Sequence, residues 1–119
     1  MTNTKNANYQ YDAENDILFI RVQHATYESS CEKDAAVIDY NQHKKIIGIE
    51  FFNASTRLHI SKESLKNITR GLAKAKVTKH AIHITLTLFS RIGTKEVKTI
   101  GTHELTNEEL PPQVLAYAL

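Results

Sequence analysis

The chain has 119 residues, of which 41% are hydrophobic and 24% charged, and its formal net charge at neutral pH is +2. This length fits one domain with a core of ordinary size, and the balance of residues excludes a wholly disordered chain. No run approaches the roughly 20 apolar residues that span a bilayer as a helix, so a membrane-spanning helix is excluded too.

The first half of the chain predicts a β-meander. Apolar and β-branched runs alternate with polar turns, and runs about ten residues apart with no helix between them pair antiparallel. Residues 26–32 are polar enough for an edge strand, and residues 41–44 predict a hairpin loop. The predicted strands cover residues 8–11, 17–22, 26–32, 36–40 and 46–52.

After Ser61 the spacing of apolar residues favours a helix. The Ser61 hydroxyl is a suitable N-cap because it can accept a hydrogen bond from a backbone N–H of the first turn. Apolar residues then recur at spacings that place them on one helix face. They are Leu65, Ile68, Leu72 and Ala75. Gly71 within this helix either permits close packing or weakens its last turn.

The end of the chain predicts a hairpin and an apolar tail. Residues 82–88 alternate apolar and polar, which is typical of a strand with one buried face. Gly93 lies in the turn that follows, and residues 96–102 form the partner strand. After Pro111 and Pro112, residues 113–119 are apolar. We expect this tail to dock on its own core or on a second copy, with a recognition segment for a partner or a protease as the alternative.

Together these elements predict an α+β fold. We expect a mostly antiparallel sheet of about six strands with one amphipathic helix. The whole chain, residues 1–119, forms a single domain: a meander over 9–56, then helix, β-hairpin and apolar tail over 61–119. The exposed edge at 26–32 and the tail favour a symmetric homodimer.

Residues 9–56 resemble a prokaryotic family known as domain of unknown function 2283. The resemblance rests on four blocks: Tyr11, Asp12, Glu14, Asp16, Leu18, Phe19, Ile20; Val37, Asp39, Tyr40; Gly48, Ile49, Glu50; and Asn53, Ala54, Ser55. It implies a small antiparallel-sheet domain without an established activity. Genes of such proteins are thought to accompany genes for small candidate toxins, so the resemblance also implies an antitoxin-like binding role.

The acidic run can be interpreted in two ways. Asp12, Glu14 and Asp16 at alternate positions offer oxygen ligands to a hard cation. A calcium loop also needs a glycine at its bend and a terminal glutamate, and this run lacks that pattern. Asp and Asn side chains also favour a turn, because they hydrogen-bond their own backbone, and this is the stronger interpretation. We therefore predict a turn, with no metal and no cofactor.

No catalytic constellation stands out. Cys31 lies in a polar edge region without a local motif, and no serine lies in a nucleophile elbow. Asp39 and Glu50 could face each other across a hairpin, although a solvated face is the simpler interpretation. Six histidines show no metal-ligand spacing, since His80 and His83 point to opposite faces of a strand. The chain is not predicted to be an enzyme.

The distribution of charge suggests a binding surface. Residues 61–98 carry nine Lys or Arg against two Asp or Glu, whereas residues 1–60 carry six against eight. On the predicted helix, one basic stripe contains Lys62, Lys66, Arg70 and Lys74. Such a stripe is usually a solvated face, but it can also contact an acidic protein or nucleic acid.

These features lead to three functional hypotheses. The first is a non-enzymatic protein-binding or regulatory module with an unknown protein partner. The second is nucleic-acid binding through the basic stripe, and the third is a small metal-binding protein or enzyme. A single cysteine and a polar N-terminal segment without an apolar run favour the cytoplasm and argue against a secretory signal.

Overall fold

A computed structural model describes residues 4–119 of the chain. The elements in chain order are β1 (Thr4–Asp12), β2 (Ile17–Val22), β3 (Ser29–Lys33), β4 (Ala36–Tyr40), β5 (Ile46–Phe51), α1 (Ala54–Leu58), α2 (Lys62–Lys66), β6 (Ile68–Val77), β7 (Ala81–Ile92), β8 (Lys95–Thr106) and β9 (Gln113–Ala118). They build one nine-stranded sheet with the order β3-β4-β5-β2-β1-β9-β6-β7-β8.

The sheet consists of two antiparallel halves joined by a short parallel contact. The first half is β3-β4-β5-β2-β1 and the second is β9-β6-β7-β8. At the junction, Thr4–Asn6 of β1 pair in parallel with Ala116–Ala118 of β9. The first and last strands of the chain therefore lie together in the middle of the sheet.

Alternation along the strands separates a buried inner face from an exposed outer face. On β7, Ile82, Ile84, Leu86 and Leu88 are buried, as the sequence predicts. The two helices cover the inner face, where the Ser90 hydroxyl donates to the Ser64 carbonyl over 2.7 Å. Gly101 of β8 makes room for them, since a Cβ at this position would lie 3.0 Å from the Leu58 carbonyl oxygen.

The sheet curls so that its two ends meet. The turn between β3 and β4 contacts β8, because the Asp34 carboxylate accepts from the Thr106 N–H over 3.1 Å. The Asp34 carbonyl also accepts from His103 Nε2 over 2.9 Å. Lys33 forms an ion pair with Glu108 at 2.7 Å. These contacts enclose the apolar inner face within the curl.

The predicted α+β fold of about six strands is wrong. The described residues are mostly β, with nine strands and two helices of five residues each. Ser61 does cap a helix, with its Oγ accepting from the Ser64 N–H over 3.1 Å. That helix ends at Lys66, however, and the remainder of the predicted helix is strand β6.

Pairing on both sides explains why β6 is a strand. Strand β6 pairs with β7 on one side and with β9 on the other, so its backbone N–H and carbonyl groups have hydrogen-bond partners along most of the strand. Within this segment Ala73, Ala75 and Val77 are buried while Lys74 and Lys76 are exposed, which is the period of a strand. The spacing from Leu65 to Ala75 matches a helix too, but tertiary pairing decides the outcome.

Several local predictions are confirmed. Strand β3 is at a sheet edge, and the hairpin loop lies between β4 and β5. Gly93 lies in the turn before β8 with a φ of +63°. The apolar tail docks on its own core as β9. No helix within residues 4–119 is long and apolar enough to cross a membrane.

Candidate protein-interaction surface

Asp16, the last residue of the acidic turn, connects that turn to helix α1. Its carboxylate accepts hydrogen bonds from the Tyr11 hydroxyl over 2.6 Å and from the Ser55 hydroxyl over 2.6 Å. The Ser55 N–H donates as well, over 3.0 Å. Burial alone would raise the pKa of Asp16, but the bonds from Ser55 and Tyr11 outweigh it and lower the pKa. This carboxylate caps the otherwise open start of α1.

The other two carboxylates of the turn do not converge with Asp16. Asp12 accepts from the side chain of Asn15 over 2.8 Å and from its N–H over 3.1 Å. These bonds lower the pKa of Asp12. Glu14 is exposed. Within residues 4–119, no group of three or more His, Cys, Asp or Glu side chains could hold a metal ion.

Asp39 and Gly48 belong to a polar cluster on the outer face of the first half. The buried Asp39 carboxylate accepts from Arg21 Nη2 over 2.7 Å and from the Ser30 hydroxyl over 2.5 Å. Gly48 lies between Asp39 and Arg21 in the strand register. A Cβ there would lie 3.1 Å from Asp39 Oδ2, so the glycine leaves room for the ion pair.

The remaining family-motif residues have structural positions too. Tyr40 is buried in the core, with 8% of its surface exposed. Glu50 is half-buried and lies opposite Val37 and Phe19 in neighbouring strands. Asp39 faces Gly48 instead of Glu50, so these two carboxylates are not directly opposite each other.

Cys31 lies on β3 and packs against the core. Burial, together with the nearby carboxylate of Glu109, raises the pKa of its thiol to about 11. A thiol with such a pKa holds little thiolate near neutral pH, and the thiolate is the nucleophilic form.

The predicted basic stripe is divided between two sides of the sheet. Lys62 and Lys66 lie on α2, which covers the inner face. Arg70 and Lys74 lie on β6 and point to the opposite side. The four side chains therefore do not form one row, because the helix that would align them does not extend beyond Lys66.

Arg70 and Lys74 belong instead to the outer face of β6, β7 and β8. Arg70 stacks on the ring of Phe89 at 3.7 Å from its centroid and pairs with Glu96 at 3.0 Å. Lys98 lies 6.0 Å from the same ring. Basic side chains outnumber acidic ones on this face. They are Arg70, Lys74, Lys76, Arg91 and Lys98, against Glu96 and Glu104.

The outer face ends at β8, a strand of 12 residues at the edge of the sheet. Along its whole length β8 pairs with β7. Its exposed side includes Ile100, with 59% of its surface accessible. The other edge strand, β3, has five residues. A long edge of unpaired backbone groups can accept another strand, so β8 is the stronger candidate for an interaction surface.

Sequence reasoning missed the central position of β9. Gln113, Leu115 and Tyr117 point to the inner face, and Val114 is exposed. The Gln113 side chain accepts from the Ile46 N–H over 3.1 Å and donates to the Lys44 carbonyl over 2.8 Å. Residues 114–119 are all apolar and the polar Gln113 points inward, so no alternation of apolar and polar residues marks this strand in the sequence.

Comparison with known proteins places this architecture in a family. The family described as a protein of unknown function (DUF2283) matches residues 8–55. A Methanosarcina mazei protein with the provisional name hypoxanthine phosphoribosyltransferase is 35% identical over 78 residues, or 66% of this chain and 63% of that protein. An uncharacterised protein of Methanocaldococcus jannaschii is 32% identical over 88 residues, or 73% of this chain and 76% of that protein.

The matched segment thus spans less than two thirds of the Methanosarcina protein. No solved structure matches the chain significantly. The family match coincides with the first half of the sheet and the start of α1, as the resemblance of residues 9–56 predicts. The chain belongs to the DUF2283 family of proteins of unknown function.

Proposed function

We propose that this chain is a non-enzymatic protein-binding module that forms a symmetric homodimer by pairing β8 with β8 of a second copy. The observation that carries the proposal is the 12-residue strand at the sheet edge, which pairs with a single neighbour among the described residues. A second copy would satisfy the β8 backbone groups that face away from β7, apart from the Thr106 N–H, which already donates to Asp34, and would cover part of Ile100.

Charge supports one register for this pairing. In a two-fold symmetric antiparallel pair, residues at equal distances on either side of the axis face each other. With the axis at Gly101, Lys98 faces Glu104 of the other copy, and this contact occurs twice. With the axis at Ile100, Glu96 would face Glu104, a repulsive contact. The axis at Gly101 is therefore the favoured register.

The two ion pairs select the register more than they supply affinity. A cross-strand pair of opposite charges contributes about 0.2–1 kcal/mol, and exposed pairs contribute at the low end. Lys98 and Glu104 lie on the same outer face of β8, so both pairs would form on one side of the joined sheets. Backbone pairing and the burial of Ile100 provide the remaining stabilisation.

Sedimentation equilibrium tests the proposal with Lys98→Glu. This change turns both attractive pairs into Glu–Glu contacts, so we expect the dimer dissociation constant to rise on the order of tenfold or more. The matched control is Lys74→Glu, the same charge change on the outer face of the interior strand β6. A monomeric wild-type protein, or equal weakening by Lys74→Glu, would contradict the proposal.

A different partner protein could use the same edge. The family resemblance implies an antitoxin-like role. In that case a partner protein would co-purify with the tagged chain in a fixed ratio and would compete with the second copy for the β8 edge. The purification is done from native cytoplasm, with and without nuclease. Ile100→Lys removes an apolar contact from the β8 edge. If the partner binds this variant as well as it binds the wild type, its binding site is not the β8 edge.

Nucleic-acid binding is a second candidate, favoured by the excess of basic residues on the outer face. It predicts an affinity for a random-sequence duplex that falls steeply with salt. Arg70→Glu should weaken this binding, whereas Lys66→Glu on the opposite side of the sheet is the matched control. Equal effects of the two variants would show that the outer face is not the binding site.

The glycines of this chain do not support phosphoribosyl transfer, the activity in the name of the Methanosarcina relative. A glycine-rich loop that cradles phosphates needs free backbone N–H groups in a turn. Gly48, Gly71 and Gly101 lie within paired strands, where neighbouring atoms occupy the space beside their Cα atoms.

A further inference from the structure

A cleft opens where β2 ends before its neighbours in the sheet. The last residue of β2, Val22, pairs with Ala7, so Thr4–Asn6 of β1 extend past it. On the other side, Arg21 pairs with Gly48, and Ile46–Ile47 of β5 extend past it too. The resulting notch has a volume of about 880 Å³, within the range of small-molecule pockets.

The start of β9 contributes to the apolar lining of the cleft. Where β2 no longer pairs with β5, side chains of β9 hydrogen-bond to the backbone of Ile46. The Gln113 side chain accepts from the Ile46 N–H over 3.1 Å, and the Tyr117 hydroxyl donates to the Ile46 carbonyl over 2.6 Å. Apolar side chains line the cleft: Val22, Ile46, Ile47, Val114 and Leu115.

The rim of the cleft is basic. Two lysines, Lys5 and Lys45, line it against the single acidic residue Glu28, and His24 and His43 add ring nitrogens. The side chains of Lys5, His24 and Lys45 make no hydrogen bond or ion pair with any other residue in 4–119. Their donors can therefore bind a ligand without breaking an existing contact among those residues. An apolar lining beneath a positive rim is complementary to an amphipathic anion.

We infer that this cleft binds a small organic anion that carries an apolar group, such as an aromatic or aliphatic carboxylate or sulfonate. The apolar part would contact Val114 and Leu115, apolar lining residues that are not buried, and the anionic group would lie between Lys5 and Lys45. No residue of β8 lines the cleft, so this site is separate from the proposed dimer edge.

Fluorescence titration with 8-anilinonaphthalene-1-sulfonate tests this inference on the full chain. The probe is an anion with an aromatic body. We expect saturable binding that weakens at least tenfold in the Lys5→Glu/Lys45→Glu variant. The matched control is Lys62→Glu/Lys66→Glu, which makes the same charge change on α2 and should leave the affinity within twofold of wild type. Circular dichroism confirms that each variant is folded.

Competition identifies the part of the ligand that is recognised. Octanoate or benzoate should displace the probe, whereas inorganic phosphate at the same concentration should displace it much less. The uncharged probe N-phenyl-1-naphthylamine should bind equally to wild type and to the rim variant. Absence of probe binding, an equal loss in the α2 control, or displacement by phosphate as effective as by octanoate would overturn the inference.

Discussion

At the scale of single residues, Asp16 shows why the acidic turn is needed. Its carboxylate holds Ser55 and Tyr11, which belong to the start of α1 and to β1. The carboxylate also raises the pKa of the Tyr11 hydroxyl, although burial contributes more to that rise. The turn predicted from the sequence is thus confirmed. The contact of Asp16 with Ser55, 39 residues further along the chain, is one that the local sequence could not reveal.

Replacing Asp16 by Asn should lower the free energy of unfolding by about 1–3 kcal/mol at neutral pH, because the Ser55 donors lose a charged acceptor. Urea denaturation measures this difference. The control is Glu14→Gln, which removes a charge from the same turn at an exposed position and should have little effect. Equal destabilisation by both variants would contradict the capping role of Asp16.

The same contact makes stability depend on pH. The pKa of Asp16 is lower in the folded state than its unfolded value of about 3.9, so its contribution is complete above that value. The contribution is lost as the pH falls through the folded-state pKa. The difference in unfolding free energy between wild type and Asp16→Asn should therefore shrink as the pH falls below about 4. A difference that stays constant down to pH 2 would exclude this linkage.

At the scale of elements, β6 marks the limit of what the sequence could predict. Alternation over residues 82–88 identified β7 because a single period fitted that segment. Residues 65–77 fit both a helical and an alternating pattern, and pairing with β7 and β9 decides between them. The position of β9 depends on a contact with β1 at the other end of the chain, which no local pattern contains.

Gly71→Ala distinguishes a strand from a helix at this position. In a helix, alanine would stabilise the chain by about 1 kcal/mol relative to glycine. In β6, the added Cβ would lie 2.9 Å from the Thr87 carbonyl oxygen and 2.9 Å from Leu88 Cδ2. We therefore expect a loss of about 1–3 kcal/mol in a urea melt. A stabilised variant would contradict the strand.

At the scale of the whole molecule, β9 connects the family half of the sheet to the second half. It lies between β1 and β6, and the buried Tyr117 hydroxyl reaches across to the Ile46 carbonyl of β5. The apolar tail is therefore an interior strand of the sheet. The candidate binding surfaces are the β8 edge and the notch beyond β2, and β9 contributes only Val114 and Leu115 to the notch.

Tyr117→Phe tests this connection. The variant leaves the Ile46 carbonyl without its donor, which should cost about 1–3 kcal/mol of unfolding free energy for a buried group. Tyr27→Phe is the control, because Tyr27 is 49% exposed and its hydroxyl shares an exposed hydrogen bond with the Ser30 hydroxyl. Thermal melts that shift equally for both variants would argue against a stabilising role for the Tyr117 contact.

The most direct test of the proposed dimer is the mass of a mixture of two variants. Lys98→Glu and Glu104→Lys each place like charges opposite each other in the symmetric pair, so each alone should sediment mainly as a monomer. Mixed in equal amounts, they restore two opposite-charge pairs and should sediment as a heterodimer. A mixture that stays as monomeric as its components, at concentrations where the wild type is dimeric, would contradict pairing about Gly101.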